Sequence, residues 1–290
     1  MSIKNVLTKW IGNSPACKAE SVMEFELERL ENRVLMAADI SLHGGTLKIH
    51  GSNDGERVDV DGTGAGRVAV YVNGSFRNAY SGVHSIKANL KGGADQLYLS
   101  AIDISKNVNI KMGDGADVFD IDTRGHYSTV EGDSRIDGNV KVHMGGDSGD
   151  FTTFDLVDNS FGVAIGGSLS VVGVADLELD GFGFRPTPAE AGDINIGRHL
   201  SVKMTSFGNV GGGPWTIYLD DVNVSGKTNI RGGHGVDTMR VIDSHFSGKT
   251  SFKLQGGNDA LQVADSVFQQ SVVFHGGHGT NTLATAGNTC

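Results

Sequence analysis

The final third of the chain repeats itself at a fixed interval. Asp221, Asp243 and Asp265 fall in one column (243−221 and 265−243 are both 22). Lys227, Lys249 and Ser271 form a second, Ile230, Phe252 and Phe274 a third, and Leu219, Val241 and Val263 a fourth. A fixed period in this range marks a repeat array, in which each unit packs mainly on its neighbours and the product is a rod.

Within the period, polar and apolar residues alternate, as in Asp237-Thr238-Met239-Arg240-Val241 and Lys249-Thr250-Ser251-Phe252-Lys253-Leu254. Alternation marks half-buried strands. A bend, Asp243 to Gly248, joins the two strands, and a Gly-Gly turn closes each unit at Gly232-Gly233, Gly256-Gly257 and Gly276-Gly277. Glycine suits such turns because it enters positive φ without steric cost. Of 290 residues 43 are glycine and only 4 proline, which fits a turn-rich β array and excludes a collagen or a Pro-rich linker. The expected fold is all-β: a right-handed parallel β-helix, or β-solenoid, of about 22 residues per coil and roughly eight or nine coils, preceded by a short N-terminal helix.

Three sections follow from the pattern. Residues 1–39 are a leader and helix, with Met23, Leu27, Leu30, Val34 and Leu35 at helical spacing over 20–38 and no glycine there. Residues 40–89 are a β lead-in without the regular register of the later coils; it holds the turns His43-Gly44-Gly45-Thr46 and Asn73-Gly74. Residues 90–290 are the solenoid. There Asp95 and Asp117 are one period apart, as are Asp158 and Asp180, and a two-proline insertion interrupts the register near 184–192.

The net charge of −10, with no clustered basic stretch, argues against nucleic acid as a partner. No apolar run reaches the length of a membrane span, and residues 1–21 lack the apolar core of a standard signal peptide. Cys17 and Cys290 form no disulfide framework or metal-ligand spacing.

Gly232-Gly233-His234-Gly235-Val236-Asp237-Thr238-Met239 matches the pattern G-G-x-G-x-D-x-U in full. Gly113 to Phe119 lacks the first glycine, Asn281 replaces Asp in the turn at Gly276, and the turns at Asp95 and Asp259 are shortened. These turns resemble the calcium-binding nonapeptides of the RTX (haemolysin-type) family. The resemblance implies Asp95, Asp117, Asp237 and Asp259 as candidate calcium ligands, with calcium as the only cofactor expected. The spacing departs from that family: one turn comes in each coil, not in tandem at every ninth position, and a calcium ion takes six to eight oxygens. Asp and Gly also build such a corner with no ion, and that reading is favoured. His234 and His278, two coils apart, are expected to be solvated turn residues.

Acidic side chains on the outer face of a β-helix can serve glycoside cleavage when paired at about 5 to 9.5 Å. The candidates are Asp120, Asp122, Asp155, Asp158 and Asp180, with the loop bearing Arg185. Nothing in the repeat singles out a pair, and Trp10 and Trp215 are the only tryptophans.

Leu30, Glu31, Arg33, Leu35, Ala37 and Ala38 match L-E-x-R-x-L-L-S/A-A, with Asn32 and Met36 departing from its commoner residues. This segment resembles the LEPR-type motif that opens many large exported bacterial repeat proteins. The resemblance implies a secreted or cell-surface location reached through an atypical signal. The expected role is a non-enzymatic structural or adhesive protein that meets cell-surface or matrix components or carbohydrate. End-to-end self-association is expected at the open last coil. The alternative is a β-helix polysaccharide lyase or glycoside hydrolase.

Overall fold

Alternating apolar residues bury one side of most strands, and most of the strands pair in parallel into three long sheets. A computed structural model describes residues 38–145, 153–157, 161–180, 194–204 and 215–290, all within one unit, Met36–Cys290. The helix expected over 20–38 and the insertion near 184–192 lie outside the described residues. Among the described residues there is no helix, and the fold is all-β.

Sheet I has ten strands, sheet II eleven and sheet III seven. The chain visits them in the order II, III, I and then returns to II. One circuit is Asp237–Ile242, His245–Phe246 and Thr250–Lys253. Among the described residues seven circuits follow one another, one for each of the 7 strands of sheet III. The sequence pattern predicts two-strand units. The bend from Asp243 to Gly248 instead holds the third strand, which is too short to show alternation.

Most columns read from the sequence are true neighbours. Leu97 pairs with Phe119 and Leu99 with Ile121. Leu219, Val241 and Val263 are consecutive, as are Ile230, Phe252 and Phe274. The step is not uniform. Gln96 to Val118 is one regular period, and Thr153 to Asp176 exceeds it by a single position. The steps from Val118 to Thr153 and from Leu177 to Ile217 are each more than half as long again. Longer connections therefore consume residues, which is why there are seven circuits rather than eight or nine. Asp180 pairs with Val157, not with Asp158.

The lead-in belongs to the same sheets. Asp39–His43 and Thr46–His50 form a hairpin that ends sheet I, and Arg57–Gly64, Arg67–Val72 and Ser75–Ser81 form a meander that ends sheet II. Asn73 and Gly74 turn the second hairpin at φ 49° and 74°, as their dipeptide predicts.

Inward columns from all three sheets merge into one core. Phe119 lies on Phe154 at 5.4 Å between ring centroids, Phe246 on Phe268 at 5.2 Å and Phe252 on Phe274 at 5.5 Å. Each fully buried large apolar side chain contributes about 1.5–3 kcal/mol.

The turn from sheet I to sheet II is where glycine is indispensable. A Cβ on Gly113 (φ +111°) would sit 1.7 Å from the Lys91 carbonyl oxygen of the preceding circuit. Gly113→Ala should therefore cost about 2 kcal/mol or more in urea unfolding. Gly92→Ala, whose added carbon meets nothing closer than 3.6 Å and needs no positive φ, should cost well under half of that.

Candidate functional site

Two groups of acidic residues with different surroundings occupy the circuits. The first comprises the candidate calcium ligands at the corner leading into sheet II. Asp95, Asp117, Asp237 and Asp259 are all buried. Their carboxylates extend along the stack. The N–H of Glu56 donates to Asp95 Oδ1 at 2.8 Å, and that of Asp95 to Asp117 Oδ1 at 2.9 Å. Further along, the N–H of Asp237 donates to Asp259 Oδ1 and that of Asp259 to Asn281 Oδ1, both at 2.9 Å. Each circuit thus satisfies a backbone donor of the one before it. Among the described residues no group of three or more His, Cys, Asp or Glu side chains is placed to hold a metal ion. At this corner the four aspartates form hydrogen-bonded steps of a ladder along the stack.

Burial makes ionisation costly in this ladder. Asp95 is pushed up to about 7, chiefly by burial and then by Asp117, against a lowering hydrogen bond from the Glu56 N–H. Asp237 is likewise pushed up to about 7 by burial and Asp259, against the Gly233 N–H. One oxygen each of Asp95, Asp237 and Asp259 is buried with no hydrogen-bond partner among the described residues.

The Asp221, Asp243 and Asp265 column has another cause. These residues turn the chain from sheet II to sheet III at φ 53°, 44° and 50°, and Ala101 does the same at 49°. Aspartate is among the few non-glycine residues that enter this region readily.

The second acidic group lies on the outer face of sheet II. Register places Asp59, Tyr98, Asp120, Asp155, Glu178, Tyr218 and Arg240 on successive strands of one column. Neighbouring rungs are about 4.8 Å apart. Asp61, Asp122, Asp180 and Asp220 flank this column on one side, and Asp176 on the other. Burial, then Glu178 and Asp176, push Asp155 up to about 7. Burial also raises Asp120 well above the usual carboxylate range, helped by Asp122, Asp155 and Glu178. Glu178 is raised by burial and by Asp180 and Asp176.

At the upper end of this column the connection 123–133 folds back over the sheet. Ser128 N–H donates to Asp61 Oδ2 at 3.0 Å, and His126 Nδ1 comes within 3.8 Å of Asp59 Oδ1. Arg57 grips the buried Asp59 through Nε at 3.0 Å and Nη2 at 2.9 Å, and its guanidinium lies 4.5 Å from the Tyr98 ring centre and 5.2 Å from that of Tyr127. A cavity of about 490 Å³ opens beside Asp122, Arg124, His126, Thr129 and Glu131.

Of the catalytic candidates named from the sequence, Asp120, Asp122, Asp155 and Asp180 share this face; Asp158 and Arg185 lie outside the described residues. Sequence reasoning missed Arg57, Asp59, Tyr98, His126 and Glu178. The alternation in Asp176-Leu177-Glu178-Leu179-Asp180 does place three acids on one face. No local signal brings His126 to Asp59, because the two belong to different circuits far apart along the chain.

A protonated carboxyl one or two rungs from an ionised one is a general acid/base arrangement, at a separation on the order of that used in glycoside cleavage.

The raised acids fix the sign of the pH dependence. Between the unfolded carboxylate range near 4 and the folded value of about 7 for Asp95, Asp155 and Asp237, the folded chain binds more protons than the unfolded one. Their stabilising contribution is full below that window and is lost as pH rises through it, so the melting temperature should be higher at pH 5 than at pH 8. Asp259→Asn, which copies Asn281 on the next rung, should keep the ladder bond and melt at or above the parent at pH 8. Asp259→Ala leaves the Asp237 N–H without its acceptor and should cost about 1–3 kcal/mol.

No protein-family model matches the chain, and no curated protein or solved structure matches it either.

Proposed function

We propose that this chain is a β-solenoid acting as an exported, non-enzymatic scaffold, a surface or extracellular structural or adhesive protein. The reading rests on one observation: the repeated corner aspartates, serines and asparagines each use a side-chain acceptor to hold a backbone N–H of a neighbouring circuit. Ser244 N–H donates to Ser266 Oγ at 3.2 Å and Ser266 N–H to Asn288 Oδ1 at 2.9 Å, as the aspartates do at their own corner. Residues used this way repeat because the stack needs them, so their recurrence calls for no catalytic explanation. The LEPR-type segment supports export.

Calcium at Asp95, Asp117, Asp237 and Asp259 is the lesser part of the proposal. An ion there must displace protons from acids pushed up to about 7 at Asp95 and Asp237. Thermal melts at pH 7.5 test it: millimolar calcium should raise the melting temperature beyond the effect of magnesium, and equal effects remove the calcium clause.

The Asp120, Asp155 and Glu178 column favours a second reading, a carbohydrate-active enzyme. On that reading Asp155, pushed up to about 7, supplies the proton and Glu178 the neighbouring carboxylate. Incubation with a broad panel of acidic and neutral glycans discriminates the two. The scaffold reading expects no new reducing or unsaturated ends. Release of ends that falls by a factor of about 100 or more in Asp155→Asn and Glu178→Gln would establish the enzyme instead.

A further inference from the structure

The sequence has no basic run, yet the register assembles a basic face. On the outer side of sheet I one column carries Lys111, Lys203, Arg231 and Lys253, and the next carries Lys48, Lys87 and Lys141. No Asp or Glu occupies either column on the nine parallel strands from Thr46–His50 to Val272–His275. The chain as a whole carries −10, so this segregation runs against its overall charge. Among the described residues none of these seven cations forms an ion pair; the four ion pairs all lie elsewhere. A groove of about 440 Å³ runs between Lys87, Lys111, Lys141 and His143.

From this juxtaposition we infer that the outer face of sheet I is a binding site for a linear polyanionic polysaccharide, laid across the strands along the two columns. The inference deepens the scaffold reading by naming its partner. Unpaired cations about 4.8 Å apart, or a small multiple of that, form a strip about 34 Å long. Such a strip matches an extended chain with a charge on each successive sugar. Between the cations, Asn109 and Asn229 offer neutral donors and acceptors suited to sugar hydroxyls. Two other occupants fit less well. Single-stranded nucleic acid needs broad aromatic platforms for its bases, and neither column holds a Phe, Tyr or Trp. A second copy would have to present its acidic sheet II face, where Asp59 is already held by Arg57 and burial with neighbouring acids disfavours the charged form of Asp155.

Titration calorimetry of the full chain with size-defined oligogalacturonate, heparin oligosaccharide and dextran tests the site. The first two should bind, with the stronger showing whether carboxylate or sulfate is the preferred anion, and dextran should not. Affinity should fall as salt rises from about 50 to about 200 mM. Lys111→Glu with Lys141→Glu should weaken binding roughly tenfold or more, while Arg77→Glu, on a sheet II hairpin, leaves it unchanged. Both lysines are exposed, so the double variant should keep the parent melting temperature. Undiminished binding in the double variant overturns the site. So does tighter binding of duplex DNA or anionic vesicles. Low-salt sedimentation that shows a dimer, lost in the same variant, overturns it too and gives the face to a second copy. Saccharide recovered at its original length supports both site and scaffold; binding with shortened saccharide supports the site and sinks the non-enzymatic reading.

Discussion

Everything in this molecule depends on satisfying the backbone where the chain turns a corner. Within a sheet, each strand pairs with the same strand of the next circuit. At a corner the main chain is bent, the ladder is interrupted, and N–H groups, buried at the corners into sheets II and III, lose their ladder partners. The chain solves this with side chains that reach one circuit along the stack. Aspartate serves at the corner into sheet II, serine at the corner into sheet III, and Asn107, Asn139, Ser168 and His199 at the corner into sheet I. The directions differ. Asp117 and Ser244 accept from the preceding circuit, whereas Asn107 and Asn139 accept from the following one. Every circuit is therefore tied to both neighbours.

This constraint explains which features the sequence displayed openly. A ladder works only if equivalent residues recur at each circuit, so Asp237, Asp259 and Asn281 stand 22 apart and the period is visible by eye. Apolar columns such as Leu219, Val241 and Val263 obey the same period because their strands are in register. The middle circuits were less legible. The long steps there, from Val118 to Thr153 and from Leu177 to Ile217, reflect connections of unequal length, and a slip of a single position attached Asp180 to Asp158 instead of Val157. Sheet III was hidden for a different reason. Its strands contain one inward residue, as in His245–Phe246, or two at most, as in Val222–Val224, which is too little for periodicity to register.

Surface chemistry was the least legible part. Outward residues carry no packing constraint, so nothing forces them to repeat, and their identity column by column emerges only once the register is known. The period then turns modest local preferences into long stripes. A lysine or arginine at one outward position of sheet I and an acid at one outward position of sheet II become separate faces, although a sliding window over the sequence sees only a mixed chain of net −10. Charge composition therefore constrains partners poorly in a stacked fold.

The same carboxylate chemistry has opposite meaning in the two acidic groups. At the corner, Asp95 and Asp237 each have a fixed hydrogen-bonding duty that an amide can perform, as Asn281 does. Their raised affinity for protons is a by-product of burial and of stacking like charges. On sheet II, Asp120, Asp155 and Glu178 repel one another across adjacent strands, and among the described residues no ladder bond justifies the arrangement. A fold selected only for stability gains nothing from three neighbouring acids on one face, since replacing one by a neutral residue relieves the repulsion. That asymmetry is why the corner acids support a scaffold, while the sheet II acids are the ones on which an enzymatic reading has to stand or fall.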